Sequence, residues 1–394
     1  MTGTVDRGNG RLAELDLLRF VAAMAVVSFH YLIAFASVWG ERPAKLFPAV
    51  APLSSLGILG VELFFMISGF VILMSIWGRS LGAFALSRLV RLYPAYWVSV
   101  AAVAAVYGLT AATALDPKLS LRDYLVNLTM FQRAAGVTDA NGVYWSLWAE
   151  LRFYLLISIL VIVGVTFARC LVFMGVWLLA AVAAGVLGLA ENEWVQLIVM
   201  PKYAPYFVAG MAFYLMTRFG PKVVLWCVAG ISGGLAVDAA LARVAGRIEA
   251  AGREAMPAAD WAVVATVACF YVLMAMVALG WLSRLRWRGL VVLGALTYPL
   301  YLFHTPVAVV LVPALRDALP PWLTALVTVL VTMALSYVVH RVAERPVQEF
   351  VKARRRRRAA AAGPPAPTPD PPGRGAFPAP PAEPFAAGEK ASVP

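Results

Sequence analysis

Charged residues are scarce in this 394-residue chain: Asp, Glu, Lys and Arg make up 14% of it, against about 25% in a soluble globular domain. Acids are the scarcer sign, 21 against 33 bases. Cysteine occurs only three times, and Cys170, Cys227 and Cys269 stand in apolar stretches. Their spacing fits neither a metal site nor a disulfide framework, so they read as small apolar residues. No internal repeat of short fixed period is present. These shortages exclude an ordinary soluble enzyme and a disulfide-stapled secreted domain. What fills the chain instead is hydrophobic, at 62% of residues and a mean hydropathy of +0.79, which excludes a disordered protein as well. A spanning helix needs about 20 apolar residues. The fold class expected is therefore all-α, a polytopic membrane helix bundle of about ten transmembrane helices.

Hydropathy places those spans near 15–39, 56–77, 92–112, 143–167, 170–189, 201–217, 222–243, 260–282, 290–313 and 321–344. Ala34-Phe35-Ala36 resembles a signal-peptidase site, but Arg19 and His30 interrupt the first apolar stretch, and Glu14 and Asp16 precede it. It reads as a retained helix. Bases in the loops, with Arg243, Arg247 and Arg253 assigned to one outer loop, divide almost evenly between the two sides. Arg341, Arg345, Lys352 and Arg354 to Arg358 decide the orientation, so that both termini are expected in the cytoplasm. The chain divides into a segment over 1–14, a membrane domain over 15–350 and a tail over 351–394. That tail is basic at first and then rich in Pro and Ala, with too little to bury, and is expected to be disordered. The net charge of +12 fits attraction to anionic lipid better than nucleic-acid binding. The chain leaves no room for an appended globular catalytic domain, so any chemistry belongs to the bundle.

Ionisable groups inside hydrocarbon are expensive and are kept where they face a cavity or a partner. His30, Glu62, Glu150 and His304 come from four separate spans, and at the rise of an α-helix all fall roughly 9–14 Å below the outer boundary. Tyr144, Ser146, Arg152, Tyr154 and Tyr301 stand near them in sequence. A polar cavity at that depth is the expectation. A second set gathers at the inner end: Asp16 and Arg19, then Arg88 and Arg91 just ahead of the third span, then Arg284, Arg286 and Arg288, then His340, Arg341 and Glu344. Guanidinium forks match phosphate oxygens. Arg19 and His30 are separated by about 16 Å of helix, the reach of an extended pantetheine arm. Plainer readings stand beside these. Basic residues at inner helix ends signal orientation, Glu62 and Arg152 could form a structural pair, and Ser68-Gly69 suits a small-residue helix contact. Trp145 and Trp148 suit interfacial anchors. Asn127-Leu128-Thr129 matches a glycosylation sequon.

Six elements, in order, resemble the acyltransferase-3 family of integral-membrane acyltransferases, whose members acylate O-antigen, peptidoglycan, Nod factors and macrolides. The first is Arg19, ten residues, then His30. The second is Gly60-Val61-Glu62-Leu63-Phe64-Phe65-Met66-Ile67-Ser68-Gly69-Phe70. The third is Arg88 to Pro94, of the form Arg-x-x-Arg-x-Tyr-Pro. The fourth runs from Trp145-Ser146-Leu147 through Glu150 to Phe153-Tyr154. Thr297-Tyr298-Pro299-Leu300-Tyr301-Leu302-Phe303-His304 and Glu344-Arg345-Pro346 complete the set. The resemblance covers about residues 11–350. Phe20 departs from the usual Gly after the arginine, and the soluble hydrolase-like domain of some members has no counterpart.

The resemblance implies an acyl-CoA donor, acetyl-CoA by default, entering from the cytoplasm. Arg88 and Arg91, with Arg19, would hold its phosphates. His30 would be the general base toward an acceptor hydroxyl, with Glu150 as the group that orients or charge-balances a histidine and Glu62 and His304 as alternates. Ser68, Tyr144, Ser146, Arg152, Tyr154 and Tyr301 would support the pocket. No Gly-x-Ser-x-Gly elbow surrounds Ser68, so the spacing gives no support to an acyl-enzyme there. Neither a metal nor a resident cofactor is expected. The acceptor expected is a cell-surface carbohydrate at a bacterial inner membrane, with a macrolide or other small metabolite as the alternative. A proton-coupled transporter or flippase is the rival from a different class, since buried His and Glu also build proton relays.

Overall fold

The computed structural model describes residues 12–110, 119–250, 259–285 and 287–361. The expected segment 1–14 therefore lies outside the described residues up to position 11, as do Arg286 and the Pro- and Ala-rich tail beyond 361. Among the described residues the chain is helical and without strands. Nine helices are long and apolar enough to cross a membrane, which makes this a multi-pass membrane protein. Residues 1–349 form one compact unit and 350–394 another.

The long elements of the first unit are α1 (Ala13–Phe29), α2 (Gly60–Ile76), α3 (Leu81–Thr110), α5 (Tyr144–Val163), α6 (Phe167–Val186), α8 (Ala204–Phe219), α9 (Val223–Ala250), α10 (Asp260–Ala278), α11 (Arg288–Leu315) and α12 (Pro321–Val339). Short helices α4 (Leu121–Asn127) and α7 (Glu193–Ile198) lie between them, and α13 (Arg345–Ala361) follows α12. Of the second unit the described part is the helical stretch to Ala361, with Lys352 and Arg354 to Arg358 on it.

The predicted spans and the helices agree closely, with two informative differences. The sixth expected span is α8, which has 16 residues and is too short to count among the nine. It is nevertheless the most enclosed helix, with every residue from Ala204 to Met216 buried. It packs chiefly on α2, and the approach depends on two glycines. A Cβ at Gly210 would stand 1.9 Å from the carbonyl oxygen of Met66, and one at Gly69 would stand 2.1 Å from that of Phe207. Gly69 is thus the small-residue contact that its sequence suggested, because only a residue without a side chain lets two backbones meet this closely. The third span begins earlier than hydropathy predicted: α3 starts at Leu81, so Arg88 and Arg91 lie inside a helix and not ahead of one.

Two π-helical turns interrupt the regular ladder, at His30–Ala34 after α1 and at His340–Glu344 after α12. Such turns often mark functional positions. In α11, prolines stand at 299, 306 and 313. Pro306 has no N–H to give to the carbonyl of Leu302; that carbonyl receives Asn141 Nδ2 at 3.1 Å and Ser99 Oγ at 3.4 Å instead. The connection before α5 is anchored in this way against the helix that bears His304. A capping box of Ser120 and Asp123 opens α4, and its hydrogen bonds hold the exposed Asp123 carboxyl below the usual range. Asn127 is buried, donates to the carbonyls of Asp123 and Thr138 and accepts from the N–H of Ala140. It is a structural pin and not an open glycosylation acceptor.

Gly210→Val should separate α2 from α8 and lower the thermal midpoint of the detergent-solubilised protein, by overpacking worth about 1–3 kcal/mol or more. Gly175→Ala, on α6 where nothing lies within 4 Å of an added Cβ, should be neutral or slightly stabilising. Size-exclusion-monitored heating of the two variants distinguishes these outcomes.

Candidate active site

Members of the two sets meet at a cavity of about 80 Å³, which Glu150 lines but His30, Glu62 and His304 do not; it has room for a few waters or the tip of a slender chain. Arg19 from α1 and Arg88 and Arg91 from α3 line it, together with Ser68, Ser146, Glu150, Tyr154, Thr297, Tyr298 and Tyr301. The three arginines expected to act together do therefore share one cavity. Arg19 reaches Asp16 at 3.4 Å. Arg88 lies 5.8 Å from the ring of Phe84 and 5.9 Å from that of Tyr154. Arg88 and Arg91 are three residues apart on one helix, so they present neighbouring guanidinium groups. Past them, His340 Nδ1 and Glu344 Oε2 are 2.7 Å apart across the second π turn, and Arg91 acts electrostatically on Glu344.

Glu150 is fixed by two hydroxyls. Ser68 Oγ donates to Oε1 at 2.8 Å and Tyr154 Oη donates to the same oxygen at 2.6 Å. Ser68 is thereby tied up as a donor to a carboxylate, which suits support of Glu150 better than a nucleophilic role. Tyr301 Oη lies 2.7 Å from Ser146 Oγ and 3.1 Å from the carbonyl oxygen of Val143, to which it donates.

The histidines stand behind Tyr301. His30 Nδ1 and His304 Nε2 are 3.3 Å apart, and the Tyr301 and His304 rings are neighbours with centroids 5.8 Å apart. His304 is fully buried, whereas His30 is half-buried between Phe29 and Phe35. Tyr301 thus connects the two: it lines the cavity, and its ring neighbours that of His304. The hydrogen bonds of Glu150 go to Ser68 and Tyr154, while the nearest ring nitrogen to His30 belongs to His304.

Two of the expected supports lie elsewhere. Tyr144 Oη pairs with Ser99 Oγ at 2.8 Å and buttresses α3 against α5 without lining the cavity. Arg152 donates to the carbonyl of Gln196 at 2.5 Å and packs over Trp148 at 5.5 Å, which pins α7. It does not pair with Glu62. Trp148 is buried and Trp145 half-buried, so both are packing residues and not interfacial anchors.

The partner of Glu62 is Arg243, at 3.0 Å. Hydropathy had left Arg243 in an outer loop, but α9 runs on to Ala250 and carries it into the bundle. Its guanidinium lies 4.5 Å from the ring of Trp145. The contact is one of charge, without hydrogen-bond alignment, since Glu62 Oε2 and Arg243 Nε are buried without a hydrogen-bond partner. Arg243 stands at the last position of the span expected over 222–243, and with the bases that follow it was counted to the outer loop. Among the described residues no group of three or more His, Cys, Asp or Glu side chains is arranged to hold a metal.

Residues 12–341 match the acyltransferase domain of the acyltransferase-3 family. The chain belongs to that family. No curated protein and no solved structure matches it. Membership supports membrane acyltransferase activity, which requires an acyl donor and an acceptor, and the cavity with its arginines and histidine pair is the candidate active site for it.

The Glu62–Arg243 pair has a measurable consequence. Arg243→Met leaves a buried carboxylate uncompensated and should cost about 3–5 kcal/mol of stability. The double change Glu62→Gln with Arg243→Met should restore most of that loss. A double-mutant cycle on unfolding midpoints checks it, and additive losses would mean that the two side chains do not interact.

Proposed function

We propose that this protein is an acyl-CoA-dependent O-acyltransferase of a bacterial inner membrane, with both termini in the cytoplasm, that moves an acetyl group to a hydroxyl of a cell-surface carbohydrate. The observation that carries the reading is a cavity lined by three arginines and a fixed carboxylate, one of whose lining residues, Tyr301, neighbours His304, the ring partner of His30. Arginine forks suit the phosphates of coenzyme A, and the apolar lining of the cavity, with Val61, Phe64 and Leu147, suits the thioester tip of its arm.

In the proposed reaction the acceptor hydroxyl gives its proton to His30 as its oxygen bonds to the thioester carbonyl carbon. The tetrahedral oxyanion so formed is stabilised by hydroxyl donors, a role that Tyr301 and Ser146 can take by turning their protons from the Val143 carbonyl. Collapse breaks the carbon–sulfur bond. Coenzyme A leaves as its thiolate and takes the proton back from His30, so atoms and charges balance. A transporter would use the same buried histidines without consuming a thioester.

Purified protein in detergent, given radiolabelled acetyl-CoA and envelope glycan as acceptor, should release coenzyme A only when both are present. His30→Ala should abolish that release while the protein still elutes as a folded species. Absence of thioester turnover with any hydroxyl acceptor would sink the enzymatic reading in favour of transport. Arg88→Ala should raise the KM for acetyl-CoA by about 10- to 100-fold, the worth of a charged hydrogen bond, with little change in kcat. An unchanged KM would remove Arg88 from the donor site.

A further inference from the structure

Two backbone carbonyls determine where the protons of the histidine pair must sit. A carbonyl oxygen only accepts, so each ring nitrogen bonded to one must carry hydrogen. His304 Nδ1 lies 2.7 Å from the carbonyl oxygen of Tyr301, so Nδ1 is the protonated nitrogen, and in the neutral ring Nε2 holds the lone pair. His30 Nδ1 lies 2.9 Å from the carbonyl oxygen of Val26 and 3.3 Å from His304 Nε2. Both neighbours of His30 Nδ1 are acceptors, so that nitrogen too must be protonated.

From this geometry we infer that His304 is a positioning residue whose ring nitrogen, acting with the Val26 carbonyl, holds His30 in the Nδ1–H tautomer and leaves Nε2 as its basic atom. The inference rests on the proposed role of His30 as the base and adds which nitrogen acts and what sets it. When His30 takes the acceptor's proton at Nε2, the Nδ1–H of the resulting imidazolium points at a lone pair already in place. His304 then does what a carboxylate does in a Ser-His-Asp triad, but without a charge of its own.

The surroundings of His304 are built to keep its ring still. Its carbonyl oxygen accepts the Tyr31 hydroxyl at 2.8 Å, and that hydroxyl lies 3.1 Å from Thr332 Oγ1. The Tyr31 carbonyl in turn accepts Trp39 Nε1 at 2.8 Å. Thr305 Oγ1 stands 3.5 Å from His304 Nε2, a second donor toward the same lone pair. On the other chain segment the π turn that starts at His30 closes with Phe35 N–H on the His30 carbonyl at 3.0 Å. The two rings come from opposite ends of the membrane domain, and each is fixed by its own helix.

The chain has only three histidines, so ¹⁵N-histidine-labelled protein in lipid nanodiscs gives three imidazole signals, assigned with His340→Gln and His304→Gln variants. The expected spectrum has His30 and His304 both neutral with Nδ1 protonated. A proton on His30 Nε2, or a doubly protonated His304, overturns the inference whatever the protein's activity. In turnover, His304→Phe should lower kcat by about 10²- to 10⁴-fold, the range for loss of an oriented general base, with the KM for acetyl-CoA unchanged. His304→Gln, whose amide oxygen accepts the same hydrogen bond, should recover at least tenfold of that loss. If His30→Ala is inactive but His304→Phe is as active as the parent, the base survives and its positioning by His304 fails. If His30→Ala retains activity, the proposed base fails, while the tautomer measurement still decides the hydrogen bond.

Discussion

Hydrocarbon offers no hydrogen-bond partner, so each polar side chain carried into the bundle must find one on another segment of the protein. The solutions here differ in kind. Glu150 is met by hydroxyls from α2 and from its own helix. Glu62 is met by a full countercharge from α9. His30 and His304 meet each other. Because each pairing joins distant stretches of chain, the polar groups act as registration points that fix how the apolar helices stand relative to one another.

The helix α2 bears most of this load, and its sequence divides by face. Met66 and Gly69 turn toward α8, where the loss of side-chain bulk allows backbone contact. Val61, Phe64, Phe65, Ser68 and Ile72 line the cavity. Glu62 points toward α9 and Arg243. A short α8, buried from Ala204 to Met216, is a consequence: it need not reach both membrane surfaces, because that apolar length is covered by protein and not by lipid. Packing this tight on one side of α2 holds Ser68 on the other side within 2.8 Å of Glu150.

Much of this could be read before the fold was known. Long apolar runs located the spans to within a few residues, since the cost of leaving backbone groups unpaired in lipid forces continuous helices. The depth estimate brought His30 and His304 to one level, and they are in contact. It could not say which groups at that level pair, because depth along a helix axis leaves rotation about the axis open. Hence Arg152 could be named as a possible structural partner for Glu62, whereas the partner is Arg243. Arg243 itself was hidden by the rule that found the spans: a charge near the end of a weak apolar run reads as a loop, and only a partner on another helix makes it a buried residue. The π turn at His30 had no sequence signal at all, since its cause is packing around the ring and not local propensity. Arg88 and Arg91 were placed ahead of their span for a related reason. Arginine stems can cover apolar surface within a helix, and hydropathy counts only the charged head.

That Glu150 is fixed by two hydroxyls, and the two histidine rings face each other, bears on how a base can work at this depth. A carboxylate hydrogen-bonded to His30 would bring a second buried charge that needs its own partner, at a desolvation penalty of several kcal/mol per ion. A neutral imidazole supplies the same lone pair with no resting charge. The carboxylates of the site are spoken for elsewhere, one by two hydroxyls and one by an arginine. On the proposed mechanism a net charge would then exist at the histidine pair only while the acceptor's proton rests on His30, opposite the oxyanion that the same step creates. Charges that arise together and a few ångströms apart in a low-dielectric medium stabilise each other strongly. A histidine pair without resting charge and a transition state with a matched pair of charges is the condition under which buried polar groups favour the reacting state over the ground state.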